Sequence, residues 1–215
     1  MSKQAWILPL QWLWLFGLLL VGLGILWDNG ILPFMFATDN TYLCPLMVIL
    51  FLLTCLHCGY CSVFLAKQVQ ALAAWQQGQY QQTTTVISRY LSELQKIPNP
   101  QDKQLTAELL SAQLHSSHEV GWFITGALIK LGMLGTVIGF VMMLGSMTHL
   151  DSLDITQVQT LMSTMTQGMK IALNTTIIGL VGSMLLGMQY LRLDQAADEL
   201  VVNAIHASEL AHGSV

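Results

Sequence analysis

Two threonines set in stripes of small residues are the side chains best placed for ion chemistry in this sequence. Thr136 lies with Gly132, Gly135 and Gly139, with Met143 and Ser146 further along, and at about 100° per residue these positions share one helical face. Thr176 lies in a second such stripe, with Ala172, Gly179, Ser183 and Gly187. Small faces let helix backbones approach closely, and a hydroxyl can both donate to and accept from water or a partner group. Each stripe alone reads most simply as helix packing, with the hydroxyls bonded to their own backbone carbonyls. The pair together reads as a narrow polar constriction lined by Thr136 and Thr176, with Thr175 and Ser183 beside them. Gly132, Gly135, Gly139, Ala172, Gly179 and Gly187 are the expected packing positions.

The remaining polar groups are few. Lys130 falls on the side of its helix opposite the Gly132/Thr136 stripe, so it is expected to hold helices together rather than to meet the ion. His57 lies at a similar depth on another apolar stretch and is the expected acceptor in that tether, with backbone carbonyls, lipid phosphate or water as alternatives. Cys55, Cys58 and Cys61 surround His57, but one helix cannot easily converge all four on a metal, and small buried thiols are ordinary in apolar surroundings. No phosphate loop, hydrolytic triad or zinc-protease spacing is present. No catalytic residue, metal or cofactor is therefore expected.

Composition says what must position these groups. The 215 residues are 53% hydrophobic and only 9% charged, far from the quarter charged that soluble domains carry. A mean hydropathy of +0.57 points to a bilayer, where apolar side chains face lipid and each ion is costly. The net charge is −4 and the eight Lys and Arg form no basic run, which argues against nucleic acid as a partner. Ala5–Trp27, Leu43–Ala66, Val120–Met147 and Met169–Leu191 are each long enough to cross a hydrocarbon core of about 30 Å. The first reads as a retained anchor, because it lacks a small-x-small cleavage site.

Charge orients the spans. Asp28–Tyr42 and Thr148–Gly168 hold no Lys or Arg, whereas Lys67, Arg89, Lys96 and Lys103 all lie in 67–119, with Lys3 before the first span and Arg192 after the last. The positive-inside rule then puts both termini and 67–119 in the cytoplasm. The expected organisation is an all-α polytopic membrane protein: 1–66 as two outer-belt spans, 67–119 as a cytoplasmic helical segment, 120–191 as two channel spans, and 192–215 as a tail helix. Helical periodicity continues the second span through Val69, Leu72, Ala73 and Trp75. It also marks a helix through Val86, Tyr90, Leu91 and Leu94, a turn at Pro98 and Pro100, and an approach to the third span through Leu105, Leu109, Leu110 and Leu114. Arg89 and Glu93 read as a solvated pair four residues apart. In this orientation Thr136 is sixteen residues from the cytoplasmic start of its span and Thr176 fifteen from the cytoplasmic end of its own, so the two hydroxyls lie at about the same level.

The stretch Leu131-Gly-Met-Leu-Gly-Thr-Val-Ile-Gly-Phe140 resembles the Gly-x-x-Gly-Thr signature of the MotA/TolQ/ExbB proton-channel family. Gly168-Met-Lys-Ile-Ala-Leu-Asn-Thr-Thr-Ile-Ile-Gly-Leu180 resembles its second signature, Ala-Leu-x-x-Thr-x-x-Gly. The resemblance covers about 120–195 and implies that Thr136 and Thr176 match the family's pore-lining threonines. It also implies a homopentamer in the bacterial inner membrane around two copies of a single-span partner, driven by ion flow. Ile129 stands where the family often has Pro, and Ile171 where the transporter-energising branch often has an acid. Four spans look like the flagellar stator branch, yet the chain is short for one. All twelve acidic residues lie outside the spans, so a titrating intramembrane Asp is expected on the partner. The rival readings are a membrane scaffold that conducts nothing and a metal or redox protein built on the second span.

Overall fold

Backbone that enters hydrocarbon must satisfy its own hydrogen bonds, and long apolar runs can do so only as helices or closed barrels. The computed structural model describes residues 7–39, 41–76, 85–94, 100–145 and 155–213, and their regular structure is all helical. The helices are α1 (Ile7–Asp28), α2 (Ile31–Thr38), α3 (Leu43–Gln76), α4 (Val86–Leu94), α5 (Pro100–Gly145) and α6 (Ile155–Gly213). Four of them, α1, α3, α5 and α6, are long and apolar enough to cross a membrane.

α3 runs on to Gln76, α5 carries the Leu105–Leu114 approach into the third span without a break, and the tail is continuous with the fourth span. Pro100 opens α5, where a missing N–H costs nothing. Pro98, Lys3, Lys96 and Ser146 lie outside the described residues. Arg89 and Glu93 are both exposed, and no ion pair joins them among the described residues.

Two segments differ from expectation. Asp28–Tyr42 contains α2, because Ile31–Thr38 is apolar and its proline falls in the first turn, where a helix tolerates it. Gly30, at φ 73°, takes the left-handed conformation that joins α1 to α2. The latter part of Thr148–Gly168 is already α6, since Ile155, Val158, Leu161 and Met162 recur with helical period and no proline interrupts them.

Contacts group the chain into two units that cut across the four expected segments. The first comprises Met1–Gly17, Leu56–Trp122 and Met188–Val215. Its α6 segment buries Tyr190, Leu193, Ala197, Leu200, Ala204 and Ala207, alternating steps of three and four as in a coiled-coil seam. Within it α4 buries Ile87, Tyr90, Leu91 and Leu94. Thr85 and Ser88 cap α4 reciprocally, each side chain accepting from the other's backbone N–H at 3.1 and 3.3 Å. The side-chain amide oxygen of Gln68, buried on α3, accepts from the Ile87 N–H at 3.3 Å and docks the start of α4.

The second unit comprises Leu18–Cys55 and Phe123–Gly187. Its buried positions on α5 (Thr125, Leu128, Gly132, Gly135 and Gly139) again step by three and four. Asp39 starts α3: its carboxylate accepts from the Cys44 N–H at 2.6 Å, from the Thr41 N–H at 2.9 Å and from the Thr41 hydroxyl. Burial pushes the Asp39 carboxyl up, but these hydrogen bonds outweigh it and hold the group below its ordinary 3.8.

Candidate functional site

The two small-residue stripes meet. A methyl group on Gly132 would lie 3.2 Å from the Thr175 carbonyl oxygen, and one on Gly179 would lie 2.8 Å from the Leu128 carbonyl oxygen. A Cβ on Gly139 would collide with the Gly168 carbonyl, and one on Gly168 would lie 2.5 Å from the Gly139 carbonyl oxygen. Main chain meets main chain at these points, so only glycine fits at Gly139, Gly168 and Gly179, while a methyl at Gly132 would need the backbones to part by a few tenths of an ångström. Gly135 receives the Thr175 side chain, and Ala172 packs on Gly139. Gly187 is looser, its nearest neighbour being a Thr125 methyl at 3.9 Å. Gly168, which the stripe reading did not single out, completes the seam.

The antiparallel register sets Gly132 beside Thr175–Gly179, Gly135 beside Thr175, and Gly139 beside Gly168 and Ala172. Thr136 is therefore about one helical turn from the level of Thr176. Both threonines are half-buried. Their hydroxyls donate to carbonyls of their own helices, Thr136 to Met133 at 2.5 Å and Thr176 to Ala172 at 2.9 Å. Donation within the helix uses the proton but leaves oxygen lone pairs able to accept from water or to face a cation.

Thr175 and Ser183 are placed differently. Thr175 is fully buried against Gly135, and its hydroxyl donates to Ile171 at 2.9 Å and Ala172 at 3.1 Å. Ser183 is also buried and donates to Leu180 at 3.2 Å. Thr136 instead opens onto a groove of about 540 Å³ whose walls include Gly139, Met143, Gly168 and Ala172. Asn174, half-buried between Leu173 and Thr175, adds a carboxamide to the same span that sequence reasoning passed over.

Lys130 is exposed, and no hydrogen bond or ion pair holds it among the described residues. His57 has a partner of its own: its Nδ1 lies 3.0 Å from the Tyr190 hydroxyl, with the Cys61 sulfur 3.8 Å from Nε2. Gly121 makes room for the Tyr190 ring, which a Cβ there would strike. The four cysteines are buried thiols, and no three His, Cys, Asp or Glu side chains among the described residues gather around a metal position. Lys170 sits over the Phe34 ring at 5.3 Å, so α2 gives this cation an aromatic face.

Sequence reasoning missed a second polar cluster. Asp194 on α6 accepts from the Trp122 indole N–H at 2.7 Å and pairs with His118 at 2.6 Å, and one turn further His115 lies 3.2 Å from Asp198. The spacing of His115, His118 and Trp122 against Asp194 and Asp198 marks these residues as helix-face neighbours. The pairing itself spans more than seventy residues of sequence and depends on register.

A sequence model of the MotA/TolQ/ExbB proton channel family matches residues 79–204, more than half of the chain. No curated protein and no solved structure matches the chain.

Proposed function

The chain belongs to the MotA/TolQ/ExbB proton channel family, and on that premise we propose that it is the ion-conducting subunit of an inner-membrane motor. Five copies surround two copies of a single-span partner, both termini and residues 67–119 are cytoplasmic, and the seamed parts of α5 and α6 face the centre. The work it drives is flagellar rotation or the energising of an outer-membrane process.

The observation that supports this reading most is Thr136 on the wall of an open groove beside a backbone-to-backbone seam. The seam makes a rigid wall, and the groove brings a hydroxyl oxygen to its surface. The spans hold no carboxylate, so the titrating group is the partner's Asp. A proton passing along the wall, ordered by Thr136 and Thr176, neutralises that Asp. Its charge, and hence its preference among five equivalent subunit sites, then changes in steps and turns one component against the other.

The scaffold reading rests on a specific observation as well, since every span-three and span-four hydroxyl described above donates to its own helix. Replacing Thr136 and Thr176 together by Val separates the two. The shape stays and the lone pairs go, so the complex should assemble while proton flux into vesicles falls by about tenfold or more, one lost hydrogen bond's worth. Undiminished flux in the double variant would sink the pathway assignment.

A further inference from the structure

The first unit holds a cleft of about 260 Å³ that the ion pathway does not use, its polar groups Gln11 on α1, Ser62 on α3 and Gln189, Arg192 and Glu199 on α6 set among apolar walls that include Leu15 and Leu193. Ser62 is 2% exposed and its hydroxyl, alone among the described buried side-chain polar atoms, has no hydrogen-bond partner. An orphaned buried hydroxyl is costly unless something else meets it. Gln11, Leu15 and Arg192 also border an apolar trough of about 360 Å³, completed by Leu10, Trp14 and Met188. A cleft that carries polar groups thus adjoins a mainly apolar one. Trp14 and Leu10 are 70% and 68% exposed, so the trough walls are bare.

The charges suggest what fits. Arg192 and Glu199 are both exposed, and neither forms an ion pair among the described residues. Seven residues apart, they share one face of α6 about 10 Å apart along its axis, a span that two long side chains can close. Guanidinium binds phosphate through paired N–H donors, and a carboxylate accepts from a primary ammonium. Ser62 lies nineteen residues past the start of α3, about 28 Å of helix and so one hydrocarbon thickness from it.

We propose that this cleft binds a glycerophospholipid whose headgroup carries a primary ammonium, as phosphatidylethanolamine does. Arg192 takes the phosphate, Glu199 the ammonium, Ser62 a glycerol or ester oxygen, and an acyl chain lies along Leu10, Trp14 and Met188. A free phosphate would leave the trough bare, and an anionic headgroup without an ammonium would leave Glu199 facing like charge. In the orientation proposed above the site lies in the cytoplasmic leaflet, and that placement rests on that reading. The site and its selectivity do not rest on ion conduction.

The full chain, purified as its assembly, is exchanged against vesicles holding equal parts phosphatidylethanolamine, phosphatidylglycerol and phosphatidylcholine, and retained lipid is counted by native mass spectrometry. Phosphatidylethanolamine should be favoured over each of the others by about tenfold, the worth of one charge-assisted hydrogen bond. Arg192→Gln should lower retention of all three. Glu199→Gln should abolish the preference for phosphatidylethanolamine over phosphatidylglycerol without lowering total retention, a change of ratio that misfolding cannot mimic. Equal retention by the unaltered protein, or an unchanged ratio in Glu199→Gln, would overturn the proposal. So would a photoreactive group at position 14 that captures a polypeptide instead of lipid. Proton flux measured in parallel on the Thr136 and Thr176 variants keeps failure here distinct from failure of the motor reading.

Discussion

Asp39 shows how much one polar side chain can do in a chain with so few. Its carboxylate collects three donors at the start of α3, satisfying the Cys44 N–H that the first turn leaves open and placing negative charge at the positive end of the helix. Because its folded pKa lies below the ordinary 3.8, ionised Asp39 stabilises the fold fully above that value, and the contribution is lost as pH falls through the lowered one. Asp39→Asn keeps an amide oxygen as acceptor but removes the charge, and should cost about 0.3–1 kcal/mol, the usual worth of a negative charge at a helix N-terminus. It should also flatten the acid limb of thermal stability from about pH 5 downward through the lowered pKa. An acid limb as steep in the Asn variant as in the unaltered protein would show that other carboxylates set it. Asp39 was legible in the sequence only as one of twelve acids outside the spans, because the cap depends on a turn through Tyr42 at φ 56° that no local pattern announces.

Helix pairing explains why the seam was legible and the polar cluster was not. Gly132, Gly135 and Gly139 repeat at helical spacing, and small residues have one obvious use between membrane helices, so periodicity alone found both stripes. The register that sets Gly139 on Gly168 and Asp194 on His118 is a property of two helices at once, and neither helix encodes it locally. The contrast between tight and loose glycines can be tested directly. Gly139→Val and Gly168→Val force backbones apart and should destabilise the protein by about 1–3 kcal/mol or more each, seen as lost thermal stability in detergent. Gly187→Ala meets nothing nearer than 3.9 Å and should be neutral or mildly stabilising, alanine being the better helix former by about 1 kcal/mol. If all three variants unfold alike, close approach is not what the glycines provide. The His118–Asp194–Trp122 contact makes a comparable case in the first unit, where Asp194→Asn weakens the histidine's partner but leaves the indole an acceptor. It should therefore cost less than Asp194→Leu.

Assembly is where the exposed surface of the single chain finds its reason. α5 leaves Met133, Val137, Phe140 and Val141 bare, α6 leaves Leu173, Ile177, Val181 and Met184 bare, and lipid or neighbouring subunits must cover both rows. Lys130 stands among these apolar positions, about ten residues and 15 Å of helix from the expected cytoplasmic edge, with no partner among the described residues. An ammonium left at that depth needs acceptors, or it must reach water along its stem. Since His57 is engaged by Tyr190, the acceptors expected for Lys130 are carbonyls or hydroxyls of an adjoining subunit, or lipid phosphate. A fixed positive charge inside a cation path would raise the entry barrier, so a place away from Thr136 is the one compatible with conduction. Lys130→Met keeps most of the stem and removes the charge. It should loosen the assembly, lowering the detergent concentration at which native mass spectrometry first records free protomers, while the proton-to-sodium flux ratio of the surviving complex stays unchanged. An intact assembly with an altered ion ratio would place Lys130 on the pathway, and the face of α5 assigned to the centre would have to turn by about half a circle.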